Sequence, residues 1–397
     1  MNTARQDGRV IALVGLAHGT SHFSHLLLAP LFPLFIRDFG LSYAQVGWLM
    51  SAFFIVSGTG QALSGFVVDR VGTRRVMMAA LSCFVLASLM ASQAHGYRDL
   101  LVVAVLAGLG NAPFHPVDFS ILNQRVSSAR LGHAFSVHGL SGQLGWALAP
   151  VFLVGIGSMS DWRVAYGAAT VFYLVVMAVL WSQRQHWQTP PPARPSSGST
   201  DNPLAYLRLP VVWWCFGFFL VSTMTLAVVQ SYAPSILTAV HGVSVATATL
   251  TLSAYMVMGA VGMVIGGFVA SRSHGLSSDR VVVISLVMAS LTLMVCASGV
   301  LGTAGTLVAL ALTGFAMGVG GPSRDMMIKR ATPVSATGRV YGTVYSGLDV
   351  GFAISPLIFG WMMDRGWYQA TLIGAALVLW GAVAAAWAVG QRSPVRP

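Results

Sequence analysis

From its opening residues almost to its last, the chain keeps returning to apolar stretches about as long as a bilayer is thick, divided by short polar gaps. A helix of about twenty residues crosses a hydrocarbon layer of roughly 30 Å. Within that layer the backbone must satisfy its own hydrogen bonds, so each stretch is expected to be a helix. Charged residues make up 8% of the 397, whereas a soluble domain carries about a quarter. There is too little polar surface here for a soluble fold. The expected class is an all-α membrane protein whose main partner is the lipid bilayer.

The net charge of +11 would fit nucleic acid if the basic residues formed a patch on a polar domain. They lie instead in the gaps between apolar runs, where topology accounts for them, so no nucleic-acid partner is expected. Cys83, Cys215 and Cys296 all fall inside apolar spans, with no metal-ligand spacing and no disulfide pattern. No metal and no cofactor is expected. The apolar run that follows MNTARQDGRV continues too far for a cleavable signal.

Polar breaks divide the chain into twelve spans, near 10–35, 43–68, 76–94, 100–122, 134–157 and 163–182, then 211–238, 245–270, 281–299, 304–328, 340–362 and 367–389. QRQHWQTPPPARPSSGSTDNP, between the sixth and seventh, reads as a flexible connector. The expected domains are therefore a six-helix bundle over 1–182, a linker over 183–210 and a second six-helix bundle over 211–397. If the N-terminus is cytoplasmic, seventeen Lys and Arg residues fall on that side and only Arg37, Arg98, Arg163 and Arg365 on the other. Both termini and the linker are thus expected in the cytoplasm.

The halves repeat. At an offset of 202, Ser51, Ala52, Gly60, Gly65, Phe66, Val67 and Arg70 meet identical residues. At an offset of 206, Pro116, Gly132, Gly145, Ala147 and Pro150 meet Pro322, Gly338, Gly351, Ala353 and Pro356. Parallel six-helix repeats of this kind are used for alternating access around a midplane site.

GFVVDRVGTRR, after the second span, resembles the signature of the major facilitator superfamily, with Gly65, Asp69, Arg70, Gly72, Arg74 and Arg75 in its places. GFVASRSHG, from Gly267, is a weaker echo where that superfamily repeats the motif. The resemblance covers the whole chain. It implies two pseudo-symmetric bundles, a monomer in a bacterial inner membrane, and a latch in which Asp69 faces the start of span eleven. Gly65 would allow close helix packing and Gly72 a tight reversal. GLGNAPFHPVDFSIL in span four is similar to a stretch of transporters related to fosmidomycin-resistance exporters. GLSGQLGWALAP in span five carries Gly139, Gly142 and Gly145 as a ladder, with Ala149-Pro150 where drug/proton antiporters have Gly-Pro.

Polar groups at bilayer depth are costly and mark function. In HGTSHFSH of span one, His18, His22 and His25 stand at i, i+4 and i+7, on one helical face. Asn111, His115 and Asp118 repeat that spacing in span four, and Pro116 beside them is expected to open a bend. At the 206 offset Asp118 meets Arg324, an opposite-charge pair related by pseudo-symmetry, with Asp325 a second partner for the arginine. Asp349 lies near the middle of span eleven, and Gln230 and Tyr232 add uncharged polar groups to span seven. His18, His22, Asn111, His115, Gln230, Tyr232 and Arg324 are the expected substrate-facing residues. Asp118, Asp325 and Asp349 are the candidates for proton coupling or gating.

No glycine loop with lysine is present to cradle ATP, and no soluble catalytic module, so neither ATP nor enzymatic activity is expected. The expected function is a proton-coupled secondary transporter exporting a small organic solute by rocker-switch alternating access. The first alternative is uptake or exchange of an organic anion with Arg324 as its partner. The second is a non-transporting receptor or scaffold, disfavoured by ions that a scaffold does not need.

Overall fold

The computed structural model describes residues 2–189, 205–272, 277–331 and 337–392, and no strand occurs among them. The chain divides into two compact units, Met1–Pro195 and Ser196–Pro397. The first holds α1 (Asn2–His25), α2 (Phe32–Phe39), α3 (Tyr43–Val71), α4 (Thr73–Ser92), α5 (Tyr97–Asn111), α6 (Phe114–Arg125), α7 (Leu131–Met159), α8 (Trp162–Ser182) and the short α9 (Arg184–Trp187). The second holds α10 (Pro210–His241), α11 (Val245–Arg272), α12 (Ser278–Ser298), α13 (Gly302–Ala331), α14 (Thr337–Asp364) and α15 (Tyr368–Arg392). Among the described residues, twelve stretches are long and apolar enough to cross a membrane, α1 joining α2 and α5 joining α6 to make two of them.

Two spans are broken in the first unit. A 3-10 turn, Ala29–Leu31, separates α1 from α2. Span four breaks between Asn111 and Phe114, not at Pro116 as expected. Pro116 sits in the first turn of α6, where a missing N–H costs little. Pro113, just before α6, stands at the break: Ala112 ahead of it keeps helical angles and bonds Gly108 O, but Pro113 has no N–H with which to continue the ladder. At the 206 offset Pro113 meets Val319, and α13 accordingly runs unbroken through Pro322.

Small residues set the closest helix contacts, as expected where lipid removes the hydrophobic drive for association. Gly145 of α7 presses on the backbone of Gly19 in α1, and its repeat mate Gly351 of α14 presses on Leu220 in α10. Gly108 of α5 meets Phe53 in α3, and Gly314 of α13 meets Tyr255 in α11 in the same way. The repeat read in sequence is therefore a repeat of contacts within each unit.

Gly65 does not belong to this set. A Cβ there meets no described atom within 4 Å, whereas one at Gly60 falls 2.7 Å from Ala112 Cβ. Five residues turn a helix by ~140°, so the two glycines face different neighbours. Gly72 makes the reversal between α3 and α4 alone, at φ +81°, with its N–H on Val68 O at 2.9 Å. Arg70 and Arg75 are exposed. The Asp69 side chain, and with it the expected latch, lies outside the described residues.

The connector starts later than its composition implied. Residues 183–189 pack on the first unit: the Trp187 side chain is 1% exposed and its indole N–H donates to Leu180 O at 2.9 Å. Thr189 N donates to Thr73 Oγ1 at 2.8 Å. Arg74 donates to Gln188 Oε1 at 3.1 Å, and Arg125 Nε to Gln188 O at 3.1 Å.

These contacts sort the glycines by effect. Gly145→Val and Gly351→Val should each lower stability by about 1–3 kcal/mol through overpacking. Gly72→Ala should cost about 1–3 kcal/mol, since φ +81° with ψ 160° is a region that glycine alone enters readily. Gly65→Ala should change stability by less than about 0.5 kcal/mol. Thermal unfolding of the purified variants in detergent checks the order; equal losses at Gly65 and Gly145 would contradict it.

Candidate functional site

The two polar triads meet rung by rung. Span one and span four run in opposite directions through the unit, so the last histidine of one lies beside the first polar residue of the other. His25 Nε2 is 3.0 Å from Asn111 Oδ1. The His22 and His115 rings are 6.4 Å apart, edge to face. His18 Nδ1 is 3.2 Å from Asp118 Oδ2.

The first rung is a fastener. Trp146 of α7 can only donate, and its Nε1–H points at His25 Nδ1 at 3.3 Å. His25 therefore carries its proton on Nε2 and gives it to Asn111 Oδ1. Ser21 Oγ donates to that same oxygen at 2.5 Å, and Asn111 Nδ2 donates to Ser57 Oγ at 2.8 Å. Asn111 is 3% exposed. It ties α1, α3 and α5 together: Ser21 and His25 take its amide oxygen and Ser57 accepts from its amide nitrogen.

The other rungs hold the chemistry. Asp118 is wholly buried and faces two imidazoles, because His138 of α7 donates from Nε2 to Asp118 Oδ2 at 3.2 Å. The His18 and His138 rings stack at 3.4 Å with 22° between their planes. His115 is half-buried and donates from Nδ1 to Gln61 Oε1 at 2.9 Å, leaving Nε2 as its lone-pair nitrogen. His22 lies 4.4 Å from His18 and 4.4 Å from Trp146, ring centre to ring centre. The glycine ladder explains how they fit: a Cβ at Gly142 would fall 2.7 Å from His22 Nδ1 and 3.1 Å from His18 Nε2. Gly139 has no such neighbour.

In this cluster His18, His22 and His115 place one ring nitrogen each within 4.8 Å of one another, and His18, Asp118 and His138 place donor atoms equally close. Such groups suit a metal ion. The expectation of no metal rested on cysteine spacing and did not weigh histidines brought together by the fold. His138, Gln61 and Trp146 were missed. His138 carried a readable signal, an imidazole a few residues inside the fifth apolar span; Gln61 and Trp146 carried none beyond their polar tips.

In the second unit Arg324 of α13 bonds from Nε to Asp325 Oδ1 at 2.9 Å, their side chains 30% and 50% exposed. Its guanidinium sits 5.1 Å from the Phe219 ring centre, and Tyr345 donates to Asp325 Oδ1 at 3.5 Å. Asp118 and Arg324, paired by the repeat, thus each find polar partners within their own unit, imidazoles for the one and a carboxylate for the other. Tyr232 is buried and donates to Pro356 O at 2.7 Å, a packing contact between α10 and α14 rather than a solute-facing group. Gln230 is buried too, its Nε2 3.9 Å from Met256 Sδ. Asp349 is half-buried on α14.

Comparison with known proteins agrees with this architecture. The model of the Major Facilitator Superfamily matches residues 14–277 and 231–397. The hexuronate transporter of Bacillus subtilis is 25% identical over 388 residues, covering 94% of this chain and 91% of that protein. The fosmidomycin resistance protein of Escherichia coli is 26% identical over 275 residues, 68% of this chain and 66% of that one. Among solved structures, a bacterial homologue of the human lysosomal transporter Spinster superimposes with a TM-score of 0.79 over 98% of each chain, at 15% identity. The chain is thus a multi-pass membrane transporter of a small solute. It belongs to the Major Facilitator Superfamily.

Asn111→Ala removes one amide and strands three partners, so stability should fall by about 2–4 kcal/mol, a penalty of about 1–3 kcal/mol per unsatisfied buried group being partly relieved by relaxation. Asn123→Ala, an exposed position bonded only to Phe119 O, should stay within about 0.5 kcal/mol. Chemical denaturation in detergent micelles compares the two; an Asn111→Ala loss no larger than that of Asn123→Ala would refute the fastener role.

Proposed function

We propose that this transporter is a proton-coupled carrier of a small organic anion, working by rocker-switch alternating access, with export its physiological direction. One observation carries the reading: a guanidinium inside a membrane-spanning helix, kept partly exposed and committed to the protein by one edge only. An arginine at the centre of a span costs about 2.5–3.5 kcal/mol and less near its end, where Arg324 stands three residues before Met327. Among the described residues Arg324 bonds Asp325 through Nε, and the planar fork of its terminal nitrogens matches a carboxylate or phosphonate. The Phe219 face beneath holds the guanidinium by a cation–π contact without consuming a donor. Asp325, the more exposed partner, is the group an incoming anion would displace.

The relatives support an acidic solute: one is named for hexuronate, a sugar carboxylate, and another for resistance to fosmidomycin. The second name, with the span-four stretch that resembles it, favours export. Uptake or exchange is the second reading, favoured by the hexuronate relative's match along nearly the whole chain. Asp349, a half-buried carboxylate amid apolar residues of α14, is the proposed proton carrier in the second unit. The Lys/Arg asymmetry supports cytoplasmic termini in an inner membrane, and the chain is proposed to act as a monomer.

Proteoliposomes with an imposed pH jump test this with hexuronates and phosphonates as solutes. Arg324→Ala should lower anion flux at least about tenfold, the loss of one strong charge-assisted contact of about 1.5–3 kcal/mol. Arg324→Lys should recover only part of it, because an ammonium lacks the fork. Asp349→Asn should keep solute counterflow and lose accumulation driven by the pH gradient. Equal flux in Arg324→Ala and the parent protein would sink the anion reading; unchanged pH-driven accumulation in Asp349→Asn would sink that carrier.

A further inference from the structure

The first unit contains a second site that anion transport does not use. We propose that His18, His22 and His115, with Asp118 and His138 alongside, bind one divalent transition-metal ion of the zinc, nickel or cobalt class. The reading is independent of the anion proposal, which rests on the other unit.

Three observations converge. The donors are already close: the ring nitrogens of His18, His22 and His115 lie within 4.8 Å of one another, and so do the donor atoms of His18, Asp118 and His138. A zinc ion bound at ~2.0–2.1 Å sets its tetrahedral ligands about 3.3 Å apart. His18 Nδ1 and His138 Nε2 are both at 3.2 Å from Asp118 Oδ2, so that half of the set stands at coordination spacing.

Next, the protein leaves these atoms unsatisfied. His22 Nδ1 and Asp118 Oδ1 are buried without a hydrogen-bond partner, His18 Nδ1 has only the Asp118 Oδ2 contact at 3.2 Å, and the His18 and Asp118 residues are 2% and 0% exposed. A buried polar atom without a partner is uncommon and costly, most of all where lipid replaces water. They belong to two donor groups that share His18, each atom is an acceptor or able to be, and a cation is the ligand that satisfies several lone pairs at once. Gly142 keeps the corner open, since a Cβ there would meet both His22 and His18.

Last, the surroundings orient the ligands. His115 gives its Nδ1 proton to Gln61, which fixes Nε2 as the coordinating nitrogen. Metal-binding histidines are held in this way by an acceptor on their other nitrogen. His25 has both nitrogens engaged and is excluded. Imidazoles with one carboxylate, and no thiolate or thioether in the set, favour zinc, nickel or cobalt over monovalent copper, magnesium or calcium. His18 and His22 at i and i+4 is also the helical spacing by which zinc enzymes hold their ion.

The test uses the full chain, purified in detergent, stripped with chelator and titrated with ZnCl2 by calorimetry and with CoCl2 by absorption. One zinc ion per chain should bind, and cobalt should give visible bands of a four- or five-coordinate nitrogen/oxygen site. His18→Ala should abolish both. Because a buried histidine can also matter for folding, His22→Ala and His115→Ala, at half-buried positions, serve as second variants and should also lose the ion while keeping the parent's elution profile. Gln61→Ala should weaken zinc about 10- to 100-fold, as loss of an orienting partner does. Exposed His95→Ala should change nothing. Absence of stoichiometric zinc binding by the parent chain, or binding unchanged in the folded His22→Ala and His115→Ala variants, would overturn the proposal.

Discussion

Hydrocarbon gives a polar side chain nothing to bond with, and that constraint shapes this protein more than any single contact. Each hydroxyl, amide or imidazole at depth must find a partner on a neighbouring helix or remain at a cost for some other use. In the first unit both outcomes occur a few ångströms apart. Asn111 collects Ser21, His25 and Ser57 into one set, while His22 and Asp118 keep buried atoms with no hydrogen-bond partner. The Asn111 set holds α1 against α3 and α5, and so fixes the open one beside it. A rigid polar fastener next to an unsatisfied corner is how a membrane bundle keeps a binding site from collapsing.

The two units share a scaffold and differ in chemistry. Gly145 and Gly351, or Gly108 and Gly314, bring equivalent helices into backbone contact in both. The polar residues follow no such rule: at the 206 offset Asn111, His115 and Asp118 meet Met317, Gly321 and Arg324. One unit therefore carries an imidazole–carboxylate cluster and the other an arginine set on an aromatic face. Pro113 adds to the difference, breaking span four just where Asn111 and His115 project, with no counterpart in α13. Duplication kept the packing and released the site positions to diverge.

Span count, helical class, repeat and superfamily were all legible, because length and apolar composition decide whether a helix can cross a membrane and glycine contacts recur at fixed offsets. The triads on α1 and span four were legible too, since helical spacing alone puts each on one face. What each polar residue does was not. Asn111 looked like a solute ligand, and nothing in its spacing told of the bonds to Ser21, His25 and Ser57. Tyr232 looked polar and free until its hydroxyl reached Pro356 O. Gly65 lay in the motif but not in a contact, and the break ascribed to Pro116 belongs to Pro113. His138 and Gln61 reach the cluster from helices whose mutual placement no local pattern encodes. Partnership across helices is a tertiary property, and periodicity reports only which face a residue occupies.

An ion can reach the histidine cluster only if its half-buried members, His22 and His115, face an aqueous path. Cysteine accessibility measures this most directly, in a background where Cys83, Cys215 and Cys296 are replaced. His22→Cys and His115→Cys in membrane vesicles should react with a membrane-impermeant thiol reagent, while Tyr232→Cys should stay unlabelled. If neither cluster position reacts from either side of the membrane, although a lipid-soluble maleimide reaches both, the cluster faces no aqueous path and the account is wrong.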